Sequence, residues 1–102
     1  MPYAFVKLVK LSGEPKKYKV VLRNKETERD KTIKFGAAGM DDFTLTKNEE
    51  QKKAYIARHK SREDWSKSGV ATSGFWSKHL LWGSSSSIQQ NLAEVKKKYF
   101  IS

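Results

Sequence analysis

The chain has 102 residues, 37% hydrophobic and 31% charged, with three Trp, four Tyr and five Phe. That is the size of one domain, too rich in large apolar groups to be disordered and too short to bury a deep core. The formal charge of +10, from 21 Lys and Arg against 11 Asp and Glu, points to an anionic partner: nucleic acid, an anionic membrane surface or an acidic protein face. The absence of cysteine excludes a disulfide framework, thiolate chemistry and Cys-type zinc sites. No apolar run approaches the roughly 20 residues of a membrane-spanning helix. The Lys-bearing start lacks the apolar block of a secretory signal, so a soluble protein is expected.

From the N-terminus, Tyr3–Leu11 mixes aromatic and β-branched residues and ends at Ser12-Gly13-Glu14-Pro15. It predicts an edge strand over about 3–11. Residues 16–24 alternate, with Tyr18, Val20 and Leu22 on one face and Lys17, Lys19, Val21 and Arg23 on the other, which predicts a half-buried strand. The segment Lys25-Glu26-Thr27-Glu28 suits a hairpin loop although it lacks an Asn-Gly or Asp-Gly pair. A third strand over about 29–35 puts Ile33 and Phe35 inside. The lysines on the outer face solvate it and discourage edge pairing.

Gly36-Ala37-Ala38-Gly39 leaves this strand with little side-chain bulk. A phosphate cradle at these glycines would need a Gly-Lys-Ser/Thr ending, and Asp41-Asp42 follows instead, so the turn reads as a hinge. Thr46 with Glu49 forms a capping box for a helix over about 47–60, whose inward side is Gln51, Lys52, Tyr55, Ile56 and His59. Residues 61–74 read as a loop, with room for one helical turn around Glu63-Asp64-Trp65. Thr72 or Ser73 caps a short helix over about 74–82, apolar nearly all round, with Gly83 as its C-terminal stop. Ser87 and Gln90 cap a last helix over about 88–99, in which Ile88, Leu92, Val95 and Tyr99 fall at helical spacing and Lys96, Lys97 and Lys98 suit the negative end. Phe100 and Ile101 form an apolar end that packs on the sheet or docks onto a partner. The fold expected is α+β: a three-stranded antiparallel sheet covered on one face by three helices, in a single domain of residues 1–102.

Enzyme motifs are weak. Asp41, Asp42, Glu49, Glu50, Glu63 and Asp64 sit where carboxylates cap helices and solvate loops. His59 and His79 lack metal-ligand spacing, and no Gly-x-Ser-x-Gly elbow occurs. No catalytic residue, metal or cofactor is expected, and no small-molecule substrate. Lys52, Lys53, Arg58, Lys60, Arg62 and Lys67 interleave with Tyr55 and Trp65, the residue types that neutralise phosphates and stack on bases; their spacing also fits a merely solvated surface. Trp65, Phe75, Trp76 and Trp82 are either core or the centre of a protein interface.

The run Lys34-Phe35-Gly36-Ala37-Ala38-Gly39-Met40-Asp41-Asp42-Phe43-Thr44, with Tyr55, Arg58-His59-Lys60, Trp65, Gly74-Phe75-Trp76 and Leu80-Leu81-Trp82, resembles an uncharacterised family of small basic proteins of large nucleocytoplasmic DNA viruses, the chlorella viruses among them. The resemblance spans roughly residues 16–100 and carries no catalytic residue. It implies a virion component made in the host cytoplasm. In that setting the expected role is a minor capsid protein bridging larger virion proteins, such as the major capsid protein, near an anionic membrane surface. The alternative is a packaged nucleic-acid-binding protein.

Overall fold

The computed structural model describes residues 3–100. Three strands, β1 (Tyr3–Lys10), β2 (Lys16–Asn24) and β3 (Asp30–Ala37), form an antiparallel meander in the order β1-β2-β3. The expected α+β architecture is therefore present. Strand β2 is central, and its alternation places Val20 and Leu22 fully inside. Val21 faces the other way between its cross-strand partners Lys7 and Thr32, yet it too is buried. A bulge between Phe5 and Lys7 inserts one residue into β1. Tyr3 and Phe5 reach the core before it and Leu8 after it, which explains why this stretch does not alternate in one register.

The β2–β3 hairpin closes without the usual glycine turn because Asn24 Oδ1 accepts from the amides of Glu26 and Thr27 at 2.9 and 3.2 Å. Glu28 completes the loop with φ 60°, a left-handed conformation that costs a non-glycine residue about 1–2 kcal/mol.

Four helical elements cover one face of the sheet. The one-turn helix α1 (Phe43–Thr46) was not expected from the sequence; Asp42 caps it and Lys47 ends it at φ 55°. This turn displaces the start of the next helix. Helix α2 spans Glu49–His59 and is capped by Asn48, whose side chain accepts from the Gln51 amide, so the expected Thr46 cap is corrected by two residues. The Thr46 hydroxyl instead donates to Gln51 Oε1 at 2.8 Å. The inward face of α2 is the expected one: Gln51, Lys52, Tyr55, Ile56 and His59 are half-buried while the other residues from Glu49 to Lys60 are exposed.

Helix α3 (Ser73–Trp76), capped by Thr72, widens into a π-helical turn over Ser77–Leu81, closed by Trp82 N–H to the Ser77 carbonyl at 3.2 Å. Gly83 ends this segment for a different reason than expected. Its backbone is not left-handed; a Cβ there would lie 2.3 Å from the His79 carbonyl oxygen and 2.9 Å from Asn91 Cγ. Helix α4 (Ile88–Val95) is capped by Ser87 and widens likewise over Lys96–Phe100.

Between the layers lie Val20, Leu22, Ile33, Phe35, Phe43, Val70, Phe75, Trp76, Leu80, Leu81, Trp82 and Val95. Each large side chain fully buried here contributes about 1.5–3 kcal/mol of transfer free energy. Phe100 packs on Phe5 and Trp76 at ring separations of 6.1 and 5.9 Å, so it closes the core; Ile101 lies outside the described residues.

Candidate functional site

The end of β3, the glycine turn, the inward side of α2 and the start of α3 enclose a cleft of about 610 Å³. Its first wall exists because two glycines let the chain turn. Gly36 (φ 76°) and Gly39 (φ 81°) are left-handed, and a Cβ on Gly36 would sit 2.7 Å from Leu81 Cδ1. The hinge reading thus has a structural basis in both conformation and close packing.

That wall is braced by an ion pair the sequence did not reveal. Asp42 is 2% exposed; its Oδ2 accepts from Lys17 Nζ at 2.5 Å, and its Oδ1 from the Thr44 amide at 2.9 Å. Lys17 also donates to the Met40 carbonyl. Asp42, read above as a loop carboxylate, is a buried brace between β2 and the turn. Its two oxygens are committed to Lys17 and to Thr44, which is a structural use of the carboxylate.

The opposite wall is aromatic. The Tyr55 ring stacks between Trp82, at 4.5 Å and 7°, and His59, at 4.4 Å and 30°. Burial, with the nearby Glu63 charge, pushes its hydroxyl up to about 12, so it stays protonated and can only donate or accept hydrogen bonds near neutrality. Glu63 lies against Gly74, where an added Cβ would meet its Oε2 at 1.3 Å. Lys16, Arg58 and Asp41 complete the rim. The arrangement offers hydrogen bonds and charges of both signs. Among the described residues no group of three metal-ligating side chains converges.

The residues nominated from the sequence separate into three groups. Lys53, Arg58, Lys60, Arg62 and Lys67 are exposed, and the charges of α2 leave on opposite flanks rather than on one recognition face. Lys52 is half-buried, its Nζ 4.5 Å from the centre of the Phe43 ring. Phe75, Trp76 and Trp82 are corrected as partner contacts, because they are 0%, 0% and 7% exposed within their own chain. Helix α3 is apolar all round because the sheet, α4 and the last turn surround it: Trp76 meets Phe5 at 6.2 Å, Phe75 meets Tyr99 at 5.1 Å, and Trp76 Nε1 donates to the Val70 carbonyl at 2.7 Å. Trp65 is half-buried; its indole Nε1 is enclosed and meets no hydrogen-bond partner among the described residues.

His79 Nε2–H donates to the Trp65 carbonyl at 2.9 Å, which fixes its proton on that nitrogen. Burial first, then the charges of Lys78 and Lys98, hold the imidazole below its ordinary range against the pull of that hydrogen bond. Asn91 was also missed. It is 1% exposed; its amide donates to the carbonyls of Leu80 and Ser85 at 3.0 and 2.8 Å and its Oδ1 accepts from Ser85 N–H at 3.1 Å. This single side chain orders the serine run. Its signal in the sequence is a polar residue three positions after Ile88, on the inward stripe of α4.

Residues 6–59, more than half of the chain, match the model of a family of unknown function, DUF5754. The chain belongs to that family. The DUF5754 match runs from β1 through the glycine turn to the last residue of α2, and so includes the Lys17–Asp42 brace and the Tyr55–His59 stack of the cleft but not Trp82. No curated protein and no solved structure matches the chain.

Proposed function

We propose that this DUF5754 protein is a non-enzymatic basic protein that holds nucleic acid by its phosphates, without reading bases, as a packaged component of the kind of virion its sequence resembles. The observation that carries this reading is the free positive charge. Of 21 Lys and Arg side chains, only Lys17, Arg23 and Lys34 stand in ion pairs among the described residues, and exposed cations occur on the sheet, on α2 and on the last turn. The burial of the aromatic segment sets the mode. Among the described residues the exposed large apolar side chains are Val6, Met40 and Leu45, none of them aromatic, which favours phosphate contact over base stacking.

The test is a salt titration of fluorescence anisotropy with labelled duplex and single-stranded DNA. Binding is expected to fall linearly in log K against log salt, by about 0.9 per phosphate contacted on the duplex, and without preference for single strands. Indifference to both at low salt would overturn the proposal.

A second reading has its own observation. Met40, which lines the cleft, and Leu45, on α1, are 63% and 64% exposed, and they favour contact with another chain, such as a larger capsid protein in a bridging role. Mass spectrometry of purified, cross-linked virions tests it; absence of the protein from the particles rejects both this role and the packaged one. In that role the basic surface would face an anionic membrane, and no helix among the described residues is long and apolar enough to cross one.

A further inference from the structure

The fold brings Lys78 and Lys98, distant in sequence, to one hollow, and the charge of Lys52 reaches Lys78 from α2. Lys78 leaves the π-helical turn after α3, Lys98 the turn after α4, and Lys52 the inner side of α2. Lys78 and Lys98 border a hollow of about 210 Å³ that also holds His79, Ser84 and Glu94. None of the three lysines has an acidic partner among the described residues. Glu94 is the carboxylate of the hollow, and it accepts from the Ser84 hydroxyl at 2.7 Å.

The position of Lys78 is costly. Its side chain lies over Trp65, with Nζ 5.5 Å from the ring centre. Burial, and then the charges of Lys52 and Lys98, hold its ammonium below the ordinary lysine range. A half-desolvated cation with two like charges nearby is stabilised by an anion that supplies acceptors to all of them. Lys98 is exposed on the other side of the hollow, with Nζ 5.4 Å from the centre of the Tyr99 ring. His79 next to them is neutral near pH 7 and adds a positive charge only when an anion raises its proton affinity.

We propose that this hollow is a phosphate-binding site, in which Lys78 and Lys98 take one phosphate group from two sides and Lys52 supplies the outer charge. Nucleic acid is the source of that phosphate, a point that rests on the function proposed above. What distinguishes this site from the lysines scattered over the surface is the hollow that half-buried Lys78 and exposed Lys98 share: it fixes where along the surface a phosphodiester docks, so the bound strand crosses between the ends of α3 and α4.

Two measurements test the site independently of that function. In a ¹⁵N NMR titration with sodium pyrophosphate, the amides of Lys78, His79, Ser84 and Lys98 are expected to shift together and saturate, while those of Lys31 and Lys34 stay in place. In DNA anisotropy, K78M and K98M are each expected to weaken binding about tenfold, the order of one charge-assisted hydrogen bond, and to reduce the salt slope by about 1; K53M, which removes an exposed charge, is the control and K78R should retain binding. Methionine keeps the aliphatic stem on Trp65, so the fold is spared. Equal losses for K78M and K53M would overturn the site while leaving DNA binding intact. Pyrophosphate shifts spread over all lysines would overturn it too. Saturable shifts at the hollow in a protein that ignores DNA would keep the site and reject nucleic acid as its ligand.

Discussion

Removing the carboxylate of Asp42 tests whether the cleft wall is held by the buried ion pair. In Asp42→Ala the Lys17 ammonium, at the end of a side chain 16% exposed, loses its partner, and the amide of Thr44 loses its cap. Breaking a fully buried pair costs about 3–5 kcal/mol, but Lys17 keeps some water, so about 2 kcal/mol is the better figure; the lost cap adds about 1 kcal/mol. The expected loss is thus about 3 kcal/mol, a large share of the 5–15 kcal/mol typical of a domain. Asp42→Asn keeps an oxygen for the cap and should lose about 2 kcal/mol by the same reasoning. Lys17→Met together with Asp42→Asn should lose less than the two single changes added, because no charge is then left unpaired. The comparison is Arg23→Gln, which breaks an exposed, solvent-screened pair and should leave the unfolding midpoint nearly unchanged. Urea unfolding followed by circular dichroism measures all of these. A double change that is simply additive, or an Asp42→Ala variant no weaker than Arg23→Gln, would refute the account of the brace.

The other predictions concern single contacts and one titration. Asn91→Leu leaves the carbonyls of Leu80 and Ser85 and the Ser85 amide unpaired, and should cost about 2–3 kcal/mol in the same unfolding assay. Gly83→Ala drives a Cβ into the His79 carbonyl and should cost about 1–3 kcal/mol, whereas a left-handed stop would show the largest penalty for β-branched residues. Glu28→Gly relieves a left-handed glutamate and should gain about 0.5 kcal/mol after the added backbone entropy of glycine. His79 is held below its unfolded value of about 6.5, so the unfolded chain binds the proton more readily. Its contribution to stability is full above that value and is lost as pH falls through the folded one. Urea midpoints measured from pH 7.5 down to 5 should decline below about 6.5, and His79→Gln should flatten that decline.

Most of the fold was legible because local chemistry and tertiary packing agree. The alternation of Tyr18, Val20 and Leu22, the Ser12–Pro15 turn and the stripe Ile88, Leu92, Val95 each specify one element, and each formed within a residue or two of its expected bounds. The misses share a cause. Asp42, Asn91 and the bulge in β1 depend on partners far along the chain, or on one inserted residue, and neither leaves a periodic trace. Lys17 and Asp42 are 25 positions apart, and nothing in their neighbours marks them as a pair. The aromatic segment was legible as core or interface but not as which, since the choice depends on whether α4 and Phe100 cover it. For the candidate site, composition disclosed the sign of the charge but not its placement. The exposed cluster on α2 could be read off the sequence, whereas the grouping of Lys52, Lys78 and Lys98 exists only after folding.

That grouping links binding to stability in a way that separates salt from ligand. Like charges held together destabilise the compact state, and the surface part of that repulsion is screened at ionic strengths where the Debye length is about 8 Å. Added salt should therefore stabilise the free protein modestly while it weakens phosphate binding. A phosphate ligand acts oppositely on the complex: at 100 times its dissociation constant it adds about 2.7 kcal/mol to the folded state. Thermal unfolding with DNA at low salt should thus show a higher midpoint than without DNA, and the gap should close as salt rises even though the free protein becomes firmer. In K78M the free protein should be less salt-sensitive and the gap smaller, because the same charge generates both the repulsion and the attraction. A K78M variant that lost the DNA-induced gap but kept the full salt response would separate the two effects and place the repulsion elsewhere on the surface.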